Sequence, residues 1–190
     1  MPVLVNLVTR ACNGGKGIFT RRKIPANTRI LEFTGDRVIR EIVDQALADG
    51  GPDSFLQIDE NFFIGSSGHV DDYVNHSCDP NCGLEFAGGR IYLKSIKPIK
   101  RGQELTFDYA TSQKSFPFRF LCRCGSVECR GEIGDYNEIP VSRKVHYQSM
   151  GVVAPYLLQQ VVIRKKRTRA KRINPGKTGF RLRPAYAPEQ

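Results

Sequence analysis

Three cysteines fall within eight residues, Cys122, Cys124 and Cys129, in a stretch with Gly125 and no apolar periodicity. Thiolates gathered in an irregular loop suit zinc, which takes four ligands in a tetrahedron at about 2.3 Å from sulfur. One ligand is therefore missing from the cluster, and Cys78, Cys82 and Cys12 are the candidates. A redox pair is a poorer reading, because Cys-x-Cys lacks the helix that activates a Cys-x-x-Cys nucleophile. Two further strings could do chemistry: Asn75-His76-Ser77-Cys78-Asp79-Pro80-Asn81-Cys82 and Glu104-Leu105-Thr106-Phe107-Asp108-Tyr109. Taken singly, the first is rich in turn formers and the second reads as a core strand with two aromatics. Gly15-Lys16-Gly17 taken singly is a turn into a strand. A cysteine hydrolase built on Cys78 and His76 is disfavoured, since residues two apart are badly placed as a nucleophile–base pair and no orienting carboxylate is evident.

Short strands must carry these strings. β-favouring residues predict strands over residues 17–20 and 29–33, parted by the Pro25-Ala26-Asn27 turn. Residues 55–58 and 62–64 predict a hairpin around Asp59-Glu60-Asn61, and residues 83–86 and 91–93 another around Gly88-Gly89. The last strand is expected over 105–109. Helical spacing of Val38, Ile39, Ile42, Val43, Ala46 and Leu47 predicts one helix over 38–49, ended by Gly50-Gly51. Further on, Pro155 can open an amphipathic helix through Tyr156, Leu157, Leu158, Val161 and Val162.

Charge divides the 190 residues unevenly. Residues 1–140 carry 17 Lys+Arg against 18 Asp+Glu, whereas residues 141–190 carry 12 against 1. The basic run starts at Arg164, ends at Arg172 and holds seven cations in nine residues. It reads either as a solvated helix end, as a phosphate-binding or nuclear-import segment, or as lysines for the protein's own chemistry. Without interleaved aromatics its contact with nucleic acid would be non-specific and salt-sensitive. Pro175, Gly176, Gly179, Pro184 and Pro188 argue against order beyond it. No apolar run reaches the roughly 20 residues of a membrane helix. The stretch at Val3 to Val8 is broken by Asn6 and does not read as a signal peptide. A soluble intracellular protein, cytoplasmic or nuclear, is the expectation, and six cysteines then favour metal over disulfides.

The order and spacing of the strings say more than any one of them. Gly15-x-Gly17, Glu32-Phe33-Thr34-Gly35, Asn75-His76-Ser77-Cys78, the strand to Tyr109 and the cysteine cluster together resemble the SET family of protein-lysine methyltransferases over residues 14–134. The resemblance implies a mainly β fold of several small sheets, with a knot-like segment, one short helix and a zinc-bound post-SET loop. It divides the chain into a SET domain (1–111), a post-SET segment (112–136) and a basic extension (137–190), partly helical and then flexible. It implies two cofactors, S-adenosyl-L-methionine and zinc. Gly15 and Gly17 would let the backbone approach the methionine part of the first. Lys16, Gly17, Asn75, His76, Tyr109 and Ile133 would bind it, with Ile133 over the adenine. Tyr109 would be the catalytic tyrosine. Phe107 stands at the family's Phe/Tyr switch, which favours di- or trimethylation, and Phe33 shapes the lysine channel. Cys78 would join Cys122, Cys124 and Cys129 on zinc. Two departures stand out: Phe33-Thr34-Gly35 replaces the usual Tyr-x-Gly, and Asp72 replaces the usual basic residue three before the motif asparagine.

The implied activity is methyl transfer to lysine amines of a protein substrate, with histone tails or the chain's own basic run as candidates. The competing reading is a zinc-containing nucleic-acid-binding module without catalysis. It accounts for the cysteines and the basic run but leaves the Asn75 and Tyr109 strings unexplained.

Overall fold

The computed structural model describes residues 6–12, 15–50, 54–115 and 119–158. Among these, the strands fall into five small sheets. β1 (Leu7–Cys12) and β2 (Gly15–Thr20) pair antiparallel. β1 was not anticipated from sequence. None of its residues is fully buried, so it lacks the apolar alternation that marks a half-buried strand.

β3 (Arg29–Glu32) lies beside β9 (Arg90–Ser95), which pairs with β8 (Cys82–Ala87). The turn between β8 and β9 is Gly88-Gly89, both at positive φ (60° and 75°), as a two-residue hairpin of matching twist requires. Every second residue of β9 points inward, placing Ile91 and Leu93 in the main core with Ile18, Leu84 and Leu105.

The expected helix is shorter than its apolar spacing suggests. α1 spans Arg40–Ala48, because residues 37–39 form β4 (Arg37–Ile39) and pair with β6 (Phe62–Ile64). β5 (Leu56–Gln57) completes that sheet. Val43 and Leu47 pack on Phe63, and Gly50 stops the helix at φ 73°.

The strand expected over 105–109 is also shorter. β10 is only Thr106–Phe107 and lies parallel to β7 (Asn75–His76), with Thr106 opposite Asn75 and Phe107 opposite His76. Asp108 then accepts from the Ala110 amide (3.2 Å) and turns the chain into a 3₁₀ turn, Tyr109–Thr111. The two motif strings therefore run side by side.

A second core joins residues 110–157. β11 (Phe120–Leu121) and β12 (Glu132–Ile133) pair above it, and α2 (Val141–Ser149) buries Tyr147 against it. α2 carried no sequence signal, because Val141 and Val145 face outward and Tyr147 alone is buried. Val152, Val153 and Ala154 are buried as well. A helix opens at Pro155 as expected, with Tyr156 and Leu157 buried. Val161, Val162 and the basic run lie outside the described residues.

Candidate active site

A cleft of about 1090 Å³ is walled by the strings that the sequence singled out. Lys16, Phe33, Asn75, His76, Phe107, Tyr109 and Ile133 all line it, and so do Cys122 and Cys124. Gly17 is not in the wall. Its role is visible one layer back, where an added Cβ would lie 2.2 Å from Glu104 Oε1 and 2.9 Å from Asn75 Nδ2. The Leu105 amide donates to the Ile18 carbonyl (2.8 Å), which draws β2 this close to the 104–105 segment.

Asn75 is held from three sides. Its amide nitrogen donates to the Lys16 carbonyl (3.0 Å) and Glu104 Oε1 (2.7 Å) and lies 3.3 Å from Cys12 Sγ. Neither Glu104 nor Cys12 was expected at the cleft as a polar partner. Glu104 opens the same string as Tyr109, and its position two residues ahead of the strand was the available signal. Lys16 places its ammonium 5.4 Å from the Tyr73 ring centroid.

The aromatic end of the cleft is a cluster. The Phe107 ring lies 4.9 Å from Tyr109 and 6.2 Å from Phe33, and Tyr109 meets His76 at 5.3 Å and Phe120 at 6.4 Å. The Tyr109 hydroxyl donates to the Val74 carbonyl (2.9 Å). Phe107 is buried and offers no hydroxyl where it faces Tyr109. An apolar channel of this kind penalises an ammonium relative to a neutral amine.

His76 is neutral. Burial above all pushes it down to about 4, with Arg130 lowering it further and Asp108 acting against both. Its Nδ1 accepts from the Tyr109 amide (3.2 Å), so Nε2 carries the proton and faces Cys78 Sγ at 3.3 Å. The residue thus fixes the Tyr109 backbone and touches the cysteine cluster at once.

Sequence reasoning missed the group that joins these parts. Asp108 is fully buried and takes two hydrogen bonds from the Arg130 guanidinium, each 2.7 Å, and one from the Tyr147 hydroxyl (3.2 Å). Although burial opposes it, this pairing raises the Arg130 guanidinium above its ordinary value. One carboxylate therefore ties the tyrosine string to the cysteine loop and to α2. No spacing rule could have paired Asp108 with Arg130, 22 residues away.

The two departures have local explanations. Asp72 lines the cleft and accepts from the Ser67 and Gly68 amides (both 2.8 Å), closing a loop. Asp71 beside it accepts from the Thr34 amide (2.9 Å) and pins the Phe33-Thr34-Gly35 segment. Gly35 is required there, because a Cβ would lie 1.7 Å from the Gly65 carbonyl oxygen.

The sulfurs of Cys78, Cys122, Cys124 and Cys129 lie within 4.8 Å of one another. A zinc tetrahedron with bonds of about 2.3 Å needs sulfurs roughly 3.8 Å apart, and Cys78 and Cys122 are 3.8 Å apart. The donor set fits zinc. Burial foremost pushes the Cys78 and Cys122 thiols up, whereas hydrogen bonds bring Cys124 down to about 7 against its own burial, so a divalent cation is what would hold the raised pair deprotonated. The other two candidates for the fourth ligand lie elsewhere: Cys82 is buried in the main core, and Cys12 sits beside Asn75.

The sequence model of the SET domain matches residues 15–110, half of the chain. The chain belongs to the SET domain family. This SET domain is 34% identical over 127 residues to the histone-lysine N-methyltransferase, H3 lysine-4 specific, of Aspergillus oryzae, covering 60% of this chain and 10% of that protein. It is 32% identical over 155 residues to the histone-lysine N-methyltransferase SUV39H2 of Gallus gallus, covering 65% and 38% respectively. Among solved structures, KRYPTONITE in complex with mCHH DNA, H3(1-15) peptide and SAH superposes with a TM-score of 0.55 at 24% identity, covering 68% of this chain and 30% of that one. The likeness confirms the mainly β fold of small sheets. The SET domain thus spans between a tenth and two fifths of the length of these curated relatives.

Proposed function

We propose that the chain transfers methyl groups from S-adenosyl-L-methionine to the side-chain amine of lysine in a protein substrate. The observation that carries this reading is a single cleft in which Asn75, His76 and Ile133 face an aromatic channel of Phe33, Phe107 and Tyr109. Bound there, the cofactor would supply an electrophilic methyl group on a sulfonium. Asn75, Lys16 and the His76 backbone would hold its amino-acid end and adenine, with Ile133 as an apolar cover. Phe33 and Phe107 would exclude water and favour the neutral amine, and the Tyr109 hydroxyl would orient the nitrogen lone pair for in-line attack. The amine's proton leaves to water, so no strong general base is needed. Most of the rate then comes from positioning and from fixed dipoles near the reacting atoms. Zinc on Cys78, Cys122, Cys124 and Cys129 would fasten the 119–133 wall beside Tyr109.

Histone tails are the substrate class favoured by the names of the relatives, and the nucleus of a eukaryotic host is the matching location. The described residues contain no helix long and apolar enough to cross a membrane. Contact of the run from Arg164 to Arg172 with nucleic acid would hold such a substrate assembly close, and its signature would be a steep salt dependence.

The test is incubation of the protein with S-adenosyl-L-methionine, core histones and a lysine-rich protein mixture, read by mass spectrometry at every lysine, with Tyr109→Phe in parallel. Methylation by the wild type, reduced at least about 100-fold in the variant, is expected. Absence of both transfer and cofactor binding would leave only the zinc-containing nucleic-acid-binding module.

A further inference from the structure

Two exposed turns are clasped together just outside the cleft. Phe19 and Glu104 both line the cleft and form an isolated antiparallel bridge. Beside that bridge the Thr20 amide donates to the Gln103 carbonyl (3.1 Å), and the Gly102 amide donates to the Thr20 carbonyl (2.7 Å). Further along, Ile24 and Ile99 exchange both backbone hydrogen bonds (2.9 and 2.8 Å), and both are buried. Between these two clasps, Arg21, Arg22 and Lys23 on one segment lie opposite Lys100 and Arg101 on the other. All five are exposed. Paired backbones of this kind run about 5 Å apart, which crowds the five charges.

Nothing in the described chain neutralises them. Residues 20–28 and 96–103 carry six Lys+Arg and no Asp or Glu. Lys97 meets Asp79 (3.2 Å), but none of the other five cations has an ion pair with a described residue. Residues 1–140 as a whole balance 17 cations with 18 anions, so this cluster is a local segregation of charge. Like charges on facing segments repel. Here backbone bonds hold them together, and Ser95 stiffens the first turn, its hydroxyl accepting from the Thr28 amide (2.9 Å) and donating to the Pro25 carbonyl (2.6 Å). An external polyanion would relieve the repulsion at no cost in ordering the backbone.

The chemistry of the surface selects among polyanions. None of the large exposed apolar side chains of the described chain lies in either turn. The surface therefore lacks the buried anchor of a protein interface and the apolar face that enters a bilayer. Neither turn contains an aromatic residue, so unpaired bases have nothing to stack on. What remains is attraction to phosphate, which a nucleic-acid duplex presents about every 1.7 Å along its axis.

We propose that Arg21, Arg22, Lys23, Lys100 and Arg101 form a docking surface for the phosphate backbone of duplex nucleic acid, without sequence preference. This surface is separate from the run between Arg164 and Arg172, and it does not rest on the methyl-transfer reading. Phe19 precedes Arg21 by two residues and Glu104 follows Arg101 by three. At roughly 3.3–3.6 Å per residue, each turn starts within roughly 11 Å of the cleft wall. A protein carried on the same duplex is thereby held beside the cleft.

The test titrates the full chain against a fluorescent DNA duplex of random sequence, read by anisotropy, from about 50 to about 200 mM salt. One variant replaces all five turn cations by Gln. A second replaces Arg164, Lys165, Lys166, Arg167 and Arg169 by Gln, which removes the same charge from the basic run. The second variant should still bind, and combining the two sets should weaken binding at least about tenfold and lower the salt slope by about 3 to 4.5. If the fivefold turn variant does not fold, Lys100→Gln/Arg101→Gln in the second background should lower the slope by about 2. Wild-type affinity and slope in the turn variants overturn the proposal. So does loss of all duplex binding on neutralising the basic run alone. Tighter binding to polyglutamate or to phosphatidylserine vesicles than to duplex, at matched anionic charge, overturns nucleic acid as the partner.

Discussion

At the scale of single residues, Phe107 is where the proposed reading would have product number decided. Its buried ring packs 4.9 Å from Tyr109 and 6.2 Å from Phe33 and brings no hydroxyl of its own to either. On the proposed reading this leaves space for an already methylated nitrogen to rotate and be attacked again. Phe107→Tyr would place a hydroxyl against the amine, where it can hold a lone pair or a water and block that rotation. The expected outcome is a shift from di- or trimethyl to monomethyl product, read as peptide masses at matched turnover. If the new hydroxyl finds no partner, the variant should also lose about 1–3 kcal/mol of stability. An unchanged product distribution would assign Phe107 to packing alone. Gly17 gives a second residue-scale test. Gly17→Ala puts a methyl group into Glu104 and Asn75, and the nearest atom, at 2.2 Å, is a carboxylate oxygen that must move. Cofactor affinity, measured by calorimetry, should fall at least about tenfold, because Asn75 loses the geometry that holds it to the Lys16 carbonyl.

At the scale of elements, the parallel pair β7–β10 sets the cleft, and Asp108 decides whether it stays set. Replacing this carboxylate by alanine leaves the Arg130 guanidinium half-buried without its partner and frees the Tyr147 hydroxyl. A buried pair broken on one side costs about 3–5 kcal/mol. Asp108→Ala should therefore lower the urea midpoint strongly, and Arg130→Met, which removes the charge along with its need for a partner, should recover part of the loss in the double variant. If the two losses simply add, Arg130 and Asp108 are not coupled. The same network shows why much of the site could be read from sequence and this part could not. Asn75, His76 and Tyr109 sit in contiguous strings whose order is itself the signal. The Asp108–Arg130–Tyr147 contact draws on three separate elements, and nothing in local periodicity or turn chemistry links them. β1 and α2 escaped for a related reason: one has no fully buried residue and the other only Tyr147, so neither shows the apolar repeat on which such readings depend. The shortened helix shows the converse. Val38 and Ile39 have helical spacing, yet pairing with Phe63 and Phe62 in a sheet overrides it.

At the scale of the whole molecule, one metal site would tie the segment that follows β7 into the second core. Cys78 follows β7, whose strand partner leads to Tyr109, while Cys122, Cys124 and Cys129 lie in the loop between β11 and β12. Arg130 adds a hydrogen bond from its amide to Cys78 Sγ (3.3 Å), so the loop and the motif segment share both ligands and backbone contacts. Zinc there would close the cleft by fixing Phe120 and Ile133 over it. Removing the metal with a chelator should lower the melting temperature and weaken cofactor binding together, and adding zinc back should restore both. Cys124→Ser should do the same and reduce bound zinc well below one per chain. Cys12→Ser should leave the zinc content unchanged, since Cys12 lies at Asn75 and not among the four sulfurs. The pH dependence has a definite sign. Burial raises the Cys78 and Cys122 thiols, so protons compete with the metal for them, and zinc retention should fall as the pH is lowered. If the chelated protein instead kept full cofactor affinity, the cysteine loop would be a tether for the second core and not a wall of the cleft.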